Sequence, residues 1–145
     1  MSRAERPGEW LHLDVCGPFK FPPFDRSQYF AVIRDHHTRY LWVQLMKTRD
    51  ELPAFVVQAC KYLETHTGHR VKPIRSDNAR ELLLSEFGDF MQQNGTQDEE
   101  SIAYAHPQNG RAENVIQVLQ RVTRSMLIES KLGHRYWPLA IKTAA

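Results

Sequence analysis

Cysteine is scarce in this sequence. Only Cys16 and Cys60 occur among 145 residues, and two thiols at that spacing form neither a disulfide framework nor a zinc or redox motif. Long apolar runs are missing too: nothing approaches the roughly 18 consecutive apolar residues of a membrane span. The charged segment Met1–Trp10 has no signal-peptide core. The chain therefore reads as soluble and intracellular, with no membrane partner. Repeats and low-complexity tracts are absent, so residues 10–145 read as one unit behind a short leader over 1–9. The seven histidines are scattered, and His36-His37 and His66/His69 read as polar loop residues rather than as a metal site.

What is present fits one globular domain: 41% hydrophobic and 25% charged residues over a length typical of single domains. The net charge of +2 hides an uneven distribution. Residues 105–145 hold six Lys/Arg against Glu113 and Glu129, whereas residues 1–104 hold 13 Lys/Arg against 15 Asp/Glu. A basic segment of this kind suits a phosphate-bearing partner, and a solvated helix face accounts for it equally well.

Period-2 alternation of Leu11, Leu13 and Val15 with His12, Asp14 and Cys16 predicts a strand over Glu9–Cys16, ended by Gly17-Pro18. Tyr29–Ile33 and Arg39–Met46 are rich in β-branched and aromatic residues and predict two further antiparallel strands. A helix follows, capped by Asp50, with Pro53 in its first turn and Gly68 as its stop. Its core stripe is Leu52, Phe55, Val56, Ala59 and Leu63, with Cys60 on the margin. Val71–Ser76 reads as a fourth strand, Ser85–Asn94 as a helix, and Thr96–Tyr104 as the site of a short fifth strand. Pro107–Ser130 is a long helix with Ala112, Val115, Ile116, Leu119, Val122 and Met126 along one face. Tyr136–Ala145 begins a last helix within which the core breaks off. Three hairpin-connected strands followed by alternating helices and strands describe an α/β fold, a mixed five-stranded sheet flanked by helices.

Three acids stand out. Asp14 sits inside an otherwise apolar strand, where Asp is disfavoured. Asp77, within RSDNARE, follows the fourth strand, where open α/β sheets bind ligands; capping the turn out of a strand explains it as well. Glu113, within HPQNGRAEN, lies early in the long helix, where the helix dipole also favours a carboxylate. Gln117, Gln120, Arg121 and Arg124 continue from it as a polar and cationic row opposite the apolar stripe. Phosphoryl transfer with two divalent ions about 3.5–4 Å apart needs such a set of acidic oxygens from separate elements. Without cations, three clustered carboxylates would repel one another.

The succession LHLDVCGPF, RSDNARE and YAHPQNGRAEN resembles the integrase core of copia-type long-terminal-repeat retrotransposons, within the retroviral integrase superfamily. The 35 residues between Asp77 and Glu113 match the interval of that family. The likeness runs on through YFAVIRDHHTRYLWVQLMK and RSMLIESKLGHRYWPLAIKTAA, covering Trp10 to the end. It implies a ribonuclease H-like fold and makes Asp14, Asp77 and Glu113 the catalytic, metal-binding acids, with two Mg²⁺ or Mn²⁺ ions as cofactors. Pro107–Arg111 then corresponds to a mobile loop beside the active site, in which Gly110 supplies backbone freedom.

DNA contacts are expected from Asn78, Gln108, Asn109, Gly110, Arg111 and Gln117, and from Arg121 and Arg124, whose charges would add salt-dependent affinity. The implied activity is DNA integration: water cleaves near the 3′ end of the element's DNA, and the freed 3′-hydroxyl then attacks a target phosphodiester. Double-stranded DNA is the partner, the assembly a homo-oligomer, and the location the nucleus, with a cytoplasmic particle stage. Departures from the family pattern are Asn114 in place of Arg, Ala79 in place of Gly and Arg34 in place of Asp. Together with the expected lack of flanking modules, they motivate a second reading, a domesticated, non-catalytic module for DNA or protein interaction. A ribonuclease H-like nuclease of another substrate class fits less of the sequence.

Overall fold

The computed structural model describes residues 4–20, 23–71, 74–75, 88–89 and 110–145. Strands β1 (Leu11–Cys16), β2 (Tyr29–Asp35) and β3 (Leu41–Met46) are followed by helix α1 (Leu52–Thr67), the short strand β4 (Ile74–Arg75), helix α2 (Gly110–Ser130) and helix α3 (Trp137–Ala144). The sheet order is β3-β2-β1-β4. β1/β2 and β2/β3 are antiparallel, while β4 runs parallel to β1, pairing Leu11 with Ile74 and His12 with Arg75. Four strands are thus present among the described residues. The fifth expected strand, Thr96–Tyr104, lies outside them, as does the expected helix Ser85–Asn94 apart from Gly88 and Asp89.

Why β2 carries an unbroken apolar run follows from its surroundings, since a strand covered on both faces has no polar side to present. Ala31 and Ile33 pack with Leu11, Leu13, Met46 and the stripe of α1, whereas Phe30 and Val32 pack on the opposite face with α2 and α3. β1 splits the same way. Leu11, Leu13 and Val15 join the α1 core, while Cys16 packs with the α2–α3 cluster. By the strand's alternation, His12 and Asp14 share the Cys16 face.

Helix α1 corrects two expectations. Its entry is not capped by Asp50: an extended Thr48 precedes a 3₁₀ turn at Arg49–Glu51. The Glu51 carboxylate accepts from the backbone N–H groups of Lys47 at 2.6 Å and Thr48 at 3.3 Å, satisfying donors that the helix start leaves open. Cys60, expected at the margin of the stripe, is fully buried within it. Gly68 ends the helix in the left-handed region at φ 71°, its N–H bonded to the Glu64 carbonyl at 2.9 Å.

A polar tie closes the other end of the sheet. Asp35, with 0% exposure, accepts from Gly8 N–H at 3.0 Å, Thr38 N–H at 3.0 Å and the Thr38 hydroxyl at 2.6 Å. It joins residues before β1 to the β2–β3 turn. His36, expected as a polar loop residue, is 8% exposed and lies beside the 2% exposed His12, with Nδ1 and Nε2 3.4 Å apart.

Two outcomes follow. Replacing Asp35 by Ala leaves the buried Gly8 N–H and the two part-buried Thr38 donors without their acceptor and should cost about 2 kcal/mol of folding free energy, read from urea denaturation. Burial, and secondarily the charge of Glu64, pushes the Cys60 thiol well above its ordinary 9.0. A raised folded-state value means that the neutral thiol is favoured, so this contribution is complete below pH 9 and is lost as pH rises above it. The wild-type urea midpoint should therefore fall more steeply between pH 8 and 10 than that of Cys60→Val, and native Cys60 should resist alkylation.

Candidate metal and nucleic-acid site

Asp14 lies in the middle of β1, opposite Val32 of β2, and is half-buried. Its Oδ1 accepts from the Val15 backbone N–H at 2.8 Å, which fixes the carboxylate close to the strand. Two residues on, Cys16 receives a hydrogen bond from Gln120 Nε2 of α2 at 3.2 Å. The Cys16 thiol is held above its ordinary value mainly by burial, then by the negative charge of Asp14, with opposing contributions from the Gln120 bond and the Gly17 backbone. Asp14 is therefore close enough for its charge to act on the next residue of its own face, where α2 crosses.

The loop after β1 is shaped by Gly17. Its φ is 129°, and an added Cβ would collide with the Gln28 backbone carbonyl oxygen and approach Tyr29 Cδ1 to 2.8 Å. Only glycine lets the chain pass this close to β2. Gly17-Pro18 is a cis peptide.

Glu113 lies in the first turn of α2, after Gly110 and Arg111. Gln120 follows Glu113 by two turns, about 10 Å along the axis, on the same side of the helix. Asp77 and Asn78 lie outside the described residues, as do Gln108 and Asn109. Among the described residues no group of three or more His, Cys, Asp or Glu side chains is gathered to hold a metal.

Of the expected DNA contacts, Gln117, Arg121 and Arg124 are exposed on α2. Gln120 differs from its expected place in that row, being half-buried and turned to Cys16. The apolar stripe is also rotated from its expected line. Ile116, Leu119 and Leu127 are buried together with Thr123 at 6%, whereas Val122 is 41% exposed. Steps of three and four from Ile116 through Leu119, Thr123 and Leu127 follow one side of a 3.6-residue helix, and Val122 sits about 100° off it. The hydrophobicity of Val122 misdirected the sequence reading. Sequence reasoning also missed Asp35 and the Gln120–Cys16 bond, which carry no local motif.

No protein-family model matches the chain. It is 31% identical over 134 residues to the retrovirus-related Pol polyprotein from transposon TNT 1-94 of Nicotiana tabacum, covering 92% of this chain and 10% of that protein. The corresponding polyprotein from transposon RE2 of Arabidopsis thaliana is 23% identical, covering 97% and 10%. The chain thus spans about a tenth of the length of these curated relatives. Among solved structures, the dimeric form of the HTLV-2 integrase catalytic core domain in complex with magnesium superposes with a TM-score of 0.62 at 16% identity, covering 98% of this chain and 86% of that one. A chain of the simian T-cell lymphotropic virus intasome in complex with PP2A regulatory subunit B56 gamma gives 0.63 at 15%, covering 99% and 49%. The fold is accordingly the ribonuclease H-like α/β fold of integrase cores. Homologues are retrotransposon Pol polyproteins and structural neighbours are retroviral integrase catalytic cores, in agreement with the copia-type integrase core that the motifs resemble.

Gly17→Ala is expected to cost at least about 2 kcal/mol, because the added methyl meets backbone rather than a movable side chain and the required φ is strained for any L-residue. Its urea midpoint, compared with wild type, measures this.

Proposed function

We propose that this relative of retrotransposon Pol polyproteins is a polynucleotidyl transferase core that processes the 3′ ends of retrotransposon DNA and joins them to target DNA. The observation that carries the proposal is the Gln120–Cys16 hydrogen bond, which seats α2 on the sheet face bearing Asp14. It supports a site in which acids from a central strand and from the start of α2 converge. The register of β4 supports the third member. An offset that pairs Leu11 with Ile74 and His12 with Arg75 would, if carried on, bring Asp77 abreast of Asp14.

Asp14, Asp77 and Glu113 would hold two Mg²⁺ or Mn²⁺ ions. Carboxylate oxygens are the hard donors such cations prefer, and the half-buried setting of Asp14 fits a ligand that keeps part of its surface for a partner. When bound, the ions supply charge neutralisation at the attacking and leaving oxygens of an in-line displacement. Asp14 offers its oxygens from a strand that cannot shift without disturbing both cores, so that end of the site is preorganised. Arg121 and Arg124 contact DNA phosphates along α2, while Asn78, Gln108, Asn109, Gly110, Arg111 and Gln117 position the DNA nearer the acids. The active form is a homo-oligomer on double-stranded DNA in the nucleus, in keeping with neighbours solved as a dimer and within an intasome.

The test uses Asp14→Asn and Glu113→Gln in metal-dependent cleavage and strand transfer on oligonucleotides carrying the element's ends. Each should reduce the rate at least about 100-fold, on the scale of lost charge stabilisation at a reacting centre, and should weaken Mn²⁺ binding in calorimetry while the thermal midpoint is preserved. Undiminished activity in both variants would show the acids to be misassigned. Absence of divalent-ion binding by the wild type would favour the non-catalytic interaction module instead.

A further inference from the structure

We propose that the outer edge of β3 is a docking site for an extended apolar peptide segment, which adds to the sheet antiparallel to β3 and carries acidic residues at its C-terminal end. Among the described residues β3 is an outermost strand of the sheet and pairs with β2 alone. Across that pair the Asp35 N–H donates to the Tyr40 carbonyl at 3.0 Å. Backbone groups of an antiparallel ladder point alternately toward and away from the partner, so Leu41, Val43 and Leu45 direct theirs outward. Of these outward groups one is engaged among the described residues, the Leu45 carbonyl, to which the Gln44 side-chain amide donates at 3.2 Å. Edge strands are ordinarily blunted by charged residues or proline. The segment LWVQLM contains neither.

Side chains of an added strand alternate between the two faces of the sheet, and apolar surface is open beside both. On the α1 side Trp42 packs between Tyr40 and Tyr62, with ring centroids 4.6 and 6.2 Å away, and both tyrosines are exposed. On the α2 side Leu41, Val118 and Leu119 border an open cavity of about 500 Å³.

Charge selects the occupant. Arg34 and Arg39 border the same cavity at the start of β3, and no described Asp or Glu does. Past the other end of the strand, Lys47 and Arg49 are matched by Asp50 and by Glu51, whose carboxylate accepts from the Lys47 backbone N–H. The cationic end of the edge is therefore its start, which an antiparallel strand meets with its C-terminal end, and acidic residues are favoured there. A second copy of β3 fits this charge pattern less well, because two-fold pairing centred on Val43 sets Arg39 opposite Lys47. The inference does not rest on the transferase reading, since β2 separates β3 from the strand that carries Asp14.

The test uses the whole chain without DNA or metal. Proton–nitrogen correlation spectra and amide hydrogen exchange are recorded while the peptide acetyl-Thr-Val-Ile-Val-Thr-Val-Glu-Glu is added to millimolar concentration. It should move the Leu41, Val43 and Leu45 amide signals saturably and slow their exchange. A counterpart with two lysines in place of the glutamates should bind at least about three-fold more weakly, the scale of an exposed ion pair. A counterpart N-methylated at its four central residues cannot donate to a strand edge and should not bind. Arg39→Asn, compatible with the left-handed φ of 68° at that residue, should weaken the acidic peptide by about three-fold and leave the lysine-ended one no weaker. The proposal is overturned by edge amide signals that do not move, or by equal binding of the acidic peptide and either counterpart. It is equally overturned by edge amides already protected in a peptide-free chain that sediments as a dimer, which would assign the edge to a second copy.

Discussion

Strand β2 has no face it can show to water. Phe30 and Val32 look one way, Ala31 and Ile33 the other, and all four are buried. A strand of that composition requires a layer on each side, and the chain supplies α1 on one and α2 with α3 on the other. The remaining arrangement depends on this demand. β1, hydrogen-bonded beside β2, inherits the same two-sided environment, so its second face, with His12, Asp14 and Cys16, must lie under or beside a helix. An acid placed there is held in position by packing that it does not itself provide. The same packing keeps Cys16 and Asp14 close enough for one charge to affect the other's protonation.

That demand was legible in the sequence wherever periodicity was unambiguous. The alternation over β1, the apolar runs of β2 and β3 and the α1 stripe are local patterns, and the structure follows them with small shifts at the ends: β2 continues to Asp35, and α1 is preceded by a 3₁₀ turn rather than by an Asp50 cap. On α2 the reading slipped by one residue. Val122 and Thr123 compete for the same side of the helix, and hydrophobicity chose Val122. Packing chose Thr123, because its position lies in line with Ile116, Leu119 and Leu127. Propensity scales cannot see that a threonine is buried wherever its position falls on the packed line of a helix.

The candidate site was legible in a different way. Asp14 drew notice by being the wrong residue for a strand interior, which is a local signal. Its relation to α2 is not local: Gln120 and Cys16 are 104 residues apart, and nothing in either segment announces the bond. Asp35 shows the same blindness. It reads as an ordinary acid at the end of a strand, yet it gathers donors from Gly8 and Thr38 and ties the residues before β1 to the hairpin. A buried carboxylate of this kind fixes register, since slipping β2 by one residue would expose it and bury a neighbour. Polar ties of high sequence separation are the part of a fold that pattern reading leaves blank.

Helix α2 shows how one amphipathic element can serve several surfaces. Its buried line, Ile116, Leu119 and Leu127, builds the core against Phe30 and Trp137. Beside that line Gln120 is drawn inward to β1, and Thr123 and Arg124 face the cavity next to α3. Gln117 and Arg121, both exposed, remain on the outer side. The polar row that looks uniform in sequence is therefore divided by geometry into residues that anchor the helix, residues that line a pocket and residues open to a large partner. A polyanion laid along the outer side would meet Arg121 without disturbing Gln120, so the anchoring of α2 over Asp14 need not change when such a partner binds. Separation of anchoring from the exposed positions of one helix would let the face near Asp14 stay rigid while a partner replaced water on the outer face.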